Sequence, residues 1–261
     1  MSPKPSGTVG PTAALISAAI EAAEGLTERL SAVLRIAEST PVLTTSFGLE
    51  DQVLTHAAFV AMAATGRDIR FVTIDTGRLF PETYEVWAAT ERRYGVRVTC
   101  VSPEAGALAS LVATHGINGF RDSIDVRRAC CETRKVAPLR AALAGSDVWI
   151  TGLRADQSGT RGDTAFASWD QTFGLLKLSP LADWTRDRAL AYAQANAVPL
   201  NTLHARGFLT IGCAPCTRAV APGEPERAGR WWWEDADHKE CGLHRRPEHS
   251  PERDNRLETV S

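Results

Sequence analysis

Short apolar runs alternate with longer segments of helical periodicity along most of the chain. Pro41 to Phe47, Ile69 to Asp75, Val96 to Val101 and Val148 to Thr151 read as short buried strands. Ala13 to Ala37, Leu49 to Ala64, Pro81 to Tyr94 and Arg134 to Leu143 read as helices between them. Ser102-Pro103-Glu104 has the form of an N-cap followed by proline at the first helical position. This βαβ order predicts a parallel sheet covered by helices on both faces. Ligands of such sheets bind at the carboxyl ends of the strands.

Three loops fall at those ends: Ser46-Phe47-Gly48-Leu49-Glu50-Asp51, Asp75-Thr76-Gly77-Arg78, and Thr151-Gly152-Leu153-Arg154-Ala155-Asp156-Gln157-Ser158. A strand turning through Ser46 and Gly48 into a helix offers free backbone N–H groups and a positive helix end, which is an anion site. Alone, such a turn is more often a plain connection, and its weight comes from the other loops on the same sheet edge. Lys135 follows Cys131 by four positions and would share its helix face. Arg161, Arg227 and Arg230 sit in glycine-rich or turn-rich segments, where guanidinium forks suit phosphate or sulfate oxygens. Taken singly, each of these arginines is more simply a solvated surface residue.

Composition narrows the class. The chain has 261 residues, 44% of them hydrophobic, enough for a sizeable core. A formal net charge of -2 gives no general basic footprint for nucleic acid. No apolar run long enough to span a bilayer occurs, and no secretory signal is present, so a cytoplasmic protein with reduced thiols is expected. Residues 1–11, rich in Pro, Gly and Ser, read as a disordered lead-in. Residues 12–200 read as a nucleotide-binding α/β domain. Residues 201–261 read as a Pro-, Arg- and Trp-rich C-terminal segment of the same functional unit.

Cysteine placement carries the chemistry. Two pairs, Cys130-Cys131 and Cys213-Ala214-Pro215-Cys216, precede a further cysteine in Glu240-Cys241-Gly242-Leu243-His244. Adjacent cysteines chelate a single tetrahedral zinc with difficulty, because its ligands usually lie two to four residues apart. A cluster offers separate irons to neighbouring sulfurs, and four cysteines are the ligand set of a 4Fe-4S centre. Cys213 and Cys216 alone would equally suit a zinc knuckle or a redox dithiol. Cys241 is left over as a candidate nucleophile. Cys100 ends an apolar run and reads as a small core residue. His56 reads as structural, and Trp231-Trp232-Trp233 either packs the tail onto the domain or stacks on a base.

Together with Cys130-Cys131-Glu132-Thr133-Arg134-Lys135-Val136, Gly229-Arg230-Trp231-Trp232-Trp233-Glu234 and Lys239-Glu240-Cys241-Gly242-Leu243-His244, the three loops and the Cys213 segment resemble the assimilatory adenylyl-sulfate (APS) reductases, relatives of phosphoadenylyl-sulfate (PAPS) reductase. The resemblance runs in order from about Pro41 to His244. It implies an adenine nucleotide alpha-hydrolase-like, Rossmann-like parallel-sheet fold with a mobile C-terminal tail. It implies a 4Fe-4S cluster on Cys130, Cys131, Cys213 and Cys216, and reduction of APS to sulfite and AMP through an S-sulfocysteine on Cys241. Thioredoxin would be the transient donor, and self-association stays open. Substrate contacts are expected from Ser46, Phe47, Gly48, Asp75, Thr76, Gly77, Lys135, Gly152, Arg154, Arg161, Arg227, Arg230 and His244. Lys239 and His244, near Cys241 in sequence, would either raise its thiolate fraction or be solvated tail residues.

Other readings remain at this stage. PAPS reduction, or dual use, differs by one phosphate, although the PAPS branch generally lacks the two cysteine pairs. An ATP pyrophosphatase of the same fold would show Ser-Gly-Gly-x-Asp-Ser in the first loop, which this chain lacks. A non-enzymatic iron–sulfur sensor explains the paired cysteines but leaves Cys241 and the anion loops unexplained.

Overall fold

The computed structural model describes residues 10–158 and 161–235. The chain enters through α1 (Pro11–Ala22) and α2 (Leu26–Ile36). The sequence predicts one long helix here, but Gly25 interrupts it. Gly25 adopts an extended conformation as the N-cap of α2, and the Glu28 carboxylate occupies the space where its side chain would stand. Pro11, the last residue of the predicted lead-in, belongs to α1, and residues 1–9 lie outside the described residues.

The sheet is built from β1 (Val42–Thr45), β2 (Arg70–Ile74), β3 (Thr99–Val101), β4 (Val148–Ile150), β5 (Ala167–Asp170) and β6 (Leu175–Leu178). Its spatial order is β3-β2-β1-β4-β6-β5. All neighbours are parallel except β5, which closes the edge as an antiparallel hairpin with β6. After β1 leads into α3 (Leu49–Thr65), the chain moves outward through β2, α4 (Pro81–Tyr94), β3 and α5 (Ala105–His115). It returns through α6 (Ile124–Cys131) and α7 (Ala137–Leu143) to place β4 on the other side of β1. The order therefore reverses beside β1, and such a switch point opens a crevice at the carboxyl ends of the strands.

One face of the sheet packs on α1, α2, α3 and α8 (Arg186–Ala195) in a large core that includes Leu30, Leu43, Leu54, Ile150 and Trp184. The other packs Val42, Val72 and Trp149 on Leu139, Ala142 and Leu143 of α7. Helix α5 starts differently from expectation: Glu104, not Ser102, is the N-cap, its carboxylate accepting from the N–H groups of Gly106 and Ala107. Cys100 is also corrected, because β3 is the sheet edge and its thiol is exposed. His56 packs among Tyr94 and Tyr192, as a structural residue would.

Candidate active site

The three predicted loops do meet at the carboxyl edge of β1, β2 and β4. They enclose a cavity of about 210 Å³ whose walls include Ser46, Gly48, Thr76, Lys135, Gly152, Arg161, Arg227 and Arg230. Phe47, Asp75, Gly77 and Arg154, also expected to touch substrate, do not line it. Each of the four has a local task instead. Phe47, held at φ 58°, turns its buried ring away to stack on Trp87 at 5.4 Å. Asp75 ties the β2 loop by accepting from the Gly77 N–H and the Tyr84 hydroxyl. Gly77 supplies the left-handed backbone of that turn.

Arg154 is the largest departure. Its guanidinium is 0% exposed and donates to Glu50 and Glu226 at 2.8 Å and to Asp156 at 3.2 Å. Three carboxylates occupy its fork, so it joins the first loop to the segment before Arg227 rather than gripping an anion. Glu226 has its carboxyl raised above the ordinary value, chiefly by burial and then by the Glu50 charge, despite Arg154.

The first loop is less suited to a phosphate than its sequence suggests. Gly48 offers no side-chain cap to α3, but Glu50 and Asp51 already bring carboxylates to its first turn. Asp51 accepts from the Ser46 N–H at 2.6 Å and the Ser46 hydroxyl at 2.7 Å. Burial pushes its carboxyl up to about 6 against those two bonds. Gly152 must be glycine, since a Cβ there would meet the Asp51 carboxylate and the Glu50 side chain. Positive charge comes from elsewhere: Lys135 from the α6–α7 segment, Arg161 from the loop after β4, and Arg227 and Arg230 from the C-terminal segment.

Cysteines form the adjoining wall. Helix α6, capped by Ser123 accepting from the Val126 N–H, ends at Cys130 and Cys131. It continues as a π-helical turn, Glu132–Val136, into α7. Such turns re-aim side chains and often occur at functional sites. Cys213 and Cys216 bracket a 3₁₀ turn begun by Ala214 and Pro215, whose Ala214 N–H donates to the Arg78 carbonyl at 2.8 Å. All four thiols belong to one apolar cluster with Phe120, Trp231 and Trp233. The Cys213 sulfur lies 3.3 Å from the Thr76 hydroxyl of the cavity wall. Burial raises the Cys213 thiol, but Lys135, Thr76, Arg230 and Arg134 together bring it below the ordinary value. Cys216 is pushed up to about 11, first by burial and then by Cys213.

No three His, Cys, Asp or Glu side chains among the described residues close on a single metal ion. The surroundings of the four thiols are nonetheless rich in N–H donors. Arg78 Nη1, Arg134 Nε, Arg230 Nε and Trp231 Nε1 are buried N–H donors without a partner among the described residues. Arg78, Arg134 and Arg230 are near enough to act electrostatically on Cys130 or on Cys213 and Cys216. Inorganic sulfides and thiolates would accept from such donors.

The C-terminal segment is pinned from two sides. Thr217 bridges Arg230 in antiparallel fashion, and Trp231 N–H donates to the Cys216 carbonyl at 3.2 Å. Arg127, 1% exposed, donates bidentately at 2.8 Å to Glu234, 4% exposed, and lies over Trp231. Gly212 leaves room for the Arg230 guanidinium, which a side chain there would displace. Trp231 thus lines the cavity and packs the segment at once, while Trp232 is partly exposed. Cys241, Lys239 and His244 lie outside the described residues.

Sequence reasoning missed several residues here. His204, Gln157 and Thr210 line the cavity, and Arg127, Glu226 and Glu234 hold its walls. Gln157 lies in the loop after β4, three positions beyond Arg154. The carboxylates that hold Arg127 and Arg154 lie 107 and 72 residues away from them, which no local pattern signals.

Residues 40–219 match the phosphoadenosine phosphosulfate reductase domain family. An adenosine 5′-phosphosulfate reductase of Sinorhizobium fredii is 50% identical over 207 residues, covering 79% of this chain and 81% of that protein. One of Allochromatium vinosum is 48% identical over 219 residues, covering 84% of each. Among solved structures, a PAPS reductase from Candida auris, in a phosphate complex, superposes with a TM-score of 0.64 at 22% identity, covering 82% of this chain and all of that one. The last likeness is one of fold.

Proposed function

The chain belongs to the phosphoadenosine phosphosulfate reductase family, and from that premise we propose that it reduces adenylyl sulfate to sulfite and AMP. The reading is carried by four cations, from three separated segments, on one cavity that shares a wall with the cysteine cluster. Relatives near half identity along most of their length are named for the adenosine 5′-phosphosulfate substrate.

In this reading Lys135, Arg161, Arg227 and Arg230 neutralise the phosphosulfate, so that an anionic nucleophile can approach an anionic substrate. Ser46, Gly48, Thr76 and Gly152 line the nucleotide. The Cys241 thiolate attacks the sulfate sulfur, the bond from sulfur to the phosphate oxygen breaks, and AMP leaves with that electron pair. A dithiol of the thioredoxin kind then attacks the Cys241 sulfur. Sulfite departs with the bonding pair, so its sulfur gains two electrons, and a mixed disulfide between Cys241 and the donor remains. The donor's second thiolate breaks it, releasing the Cys241 thiolate as the donor becomes a disulfide. A 4Fe-4S cluster held by Cys130, Cys131, Cys213 and Cys216 would supply a charged centre behind Lys135 and fasten α6 to the 213–216 turn. Arg154, in this account, acts only by positioning the Glu226–Arg230 segment. Reaction in the cytoplasm fits a thiol chemistry that needs reduced cysteines. Among the described residues no helix is long and apolar enough to cross a membrane.

Protein purified without oxygen, given APS with thioredoxin and its reductase, should release sulfite and hold about four irons and four acid-labile sulfides per chain. Zinc without labile sulfide would remove the cluster from the account. Faster sulfite release from PAPS than from APS would move the substrate assignment to the 3′-phosphorylated nucleotide.

A further inference from the structure

The cavity contains one feature that phosphate and sulfate do not explain. His204 sits in the 3₁₀ turn Thr202–Arg206 and lines the cavity beside Leu209 and Thr210. Its Nδ1 lies 2.8 Å from the Phe208 carbonyl oxygen. A carbonyl only accepts, so Nδ1 carries the hydrogen of that bond. The other nitrogen, Nε2, is buried and has no partner among the described residues. Burial, then the Arg186 charge, hold the ring below its ordinary pKa even though the Phe208 bond and Glu50 oppose them, which favours the neutral ring. Nε2 is then an acceptor.

The other unpartnered groups on this wall are of opposite type. Arg230 Nε and Trp231 Nε1 are N–H donors, suited to an anion. The two carboxylates of this wall already have partners: Glu50 Oε1 accepts from Arg154, and Asp51 Oδ2 accepts from Ser46 twice. A buried acceptor left unsatisfied costs about 1–3 kcal/mol, so a ligand that fills the cavity is expected to satisfy it. A phosphosulfate at neutral pH has no hydrogen to donate. The nucleoside has three kinds: the 2′- and 3′-hydroxyls of the ribose and the exocyclic amine of adenine.

We propose that His204 is a specificity-determining residue whose Nε2 accepts a hydrogen bond from an O–H or N–H donor of the nucleoside, so that this nitrogen reads the part of the substrate the cations cannot. The inference deepens the assignment of an adenylyl substrate and rests on it. Rejection of ligands lacking the donor follows, because a site built to bond a donor discriminates strongly against its absence.

The test is calorimetric titration of the intact protein with AMP, 2′-deoxy-AMP, 3′-deoxy-AMP and purine riboside 5′-monophosphate, which lacks the amine. Two variants separate the nitrogens. His204→Asn keeps an N–H for the Phe208 carbonyl and removes the Nε2 acceptor, while His204→Gln keeps an acceptor near Nε2. Wild type should bind one analogue more weakly than AMP. His204→Asn should bind AMP roughly 3- to 10-fold more weakly, the loss of one hydrogen bond, with no further loss for that analogue alone. His204→Gln should restore the discrimination. Equal weakening of all four ligands by His204→Asn, or none, would overturn the inference while leaving APS reduction intact. Failure of the wild type to bind any adenine nucleotide would overturn both.

Discussion

A loop arginine can be read from sequence as an anion ligand, yet Arg154 spends its whole guanidinium on carboxylates. Replacing it with Met would leave Glu50 and Glu226 buried without their partner, and breaking a buried pair this way costs about 3–5 kcal/mol. Denaturant melts of Arg154→Met should show that loss, and a change below about 1 kcal/mol would mean the three carboxylates relax into water. Lys135 and Arg230 should behave differently. Alanine at either is expected to weaken APS binding by about 1.5–3 kcal/mol, the worth of a bond to a charged group, and AMP binding by less. Titrations giving equal losses for both ligands would place these side chains on the nucleotide or the fold instead of the sulfate. That the two cysteine pairs come together, and that four cations line one cavity, was legible from residue type and spacing. His204 was not, because its meaning depends on one nitrogen finding Phe208 and the other finding nothing.

Elements were legible where their own residues decide them. Pro at N1 and the left-handed Gly95 at the end delimit α4 at Pro81 and Tyr94, as the sequence predicts. Helix α8 was missed because only Ala189 and Ala193 are buried, too small a stripe to show as periodicity. Strand β6, Leu175–Leu178, is buried along its length and its Lys177 interrupts the apolar run a buried strand would show. The segment predicted as a helix from Arg134 begins ten residues earlier at Ile124 and changes register in the π turn. That extra residue sets how Cys130 and Cys131 face Lys135 and Arg134. Deleting Thr133 would convert the turn to α geometry and rotate α6 by about 100° against α7. Iron content and nucleotide binding should both fall while helix content by circular dichroism is kept. Full iron and unchanged affinity in that deletion would show that the π turn has no part in the site.

At the scale of the molecule, the parallel sheet supplies an edge and the segment from Leu209 to Trp231 lines the cavity there. Arg127 and Glu234 fix the last described stretch beside the cysteine cluster. Cys241 follows Glu234 by seven positions, a chain length that reaches at most about 25 Å. In the proposed reaction the thiol would have to meet the cavity in the first half and a protein dithiol in the second. The central claim is that sulfur passes through Cys241. Wild-type protein incubated with APS and no reductant should gain the mass of one SO₃ on the peptide containing Cys241, and Cys241→Ser should keep its iron and gain nothing. Sulfonation of Cys213, Cys216 or Cys100 instead, or sulfite release from the Cys241→Ser variant within roughly tenfold of wild type, would contradict the account.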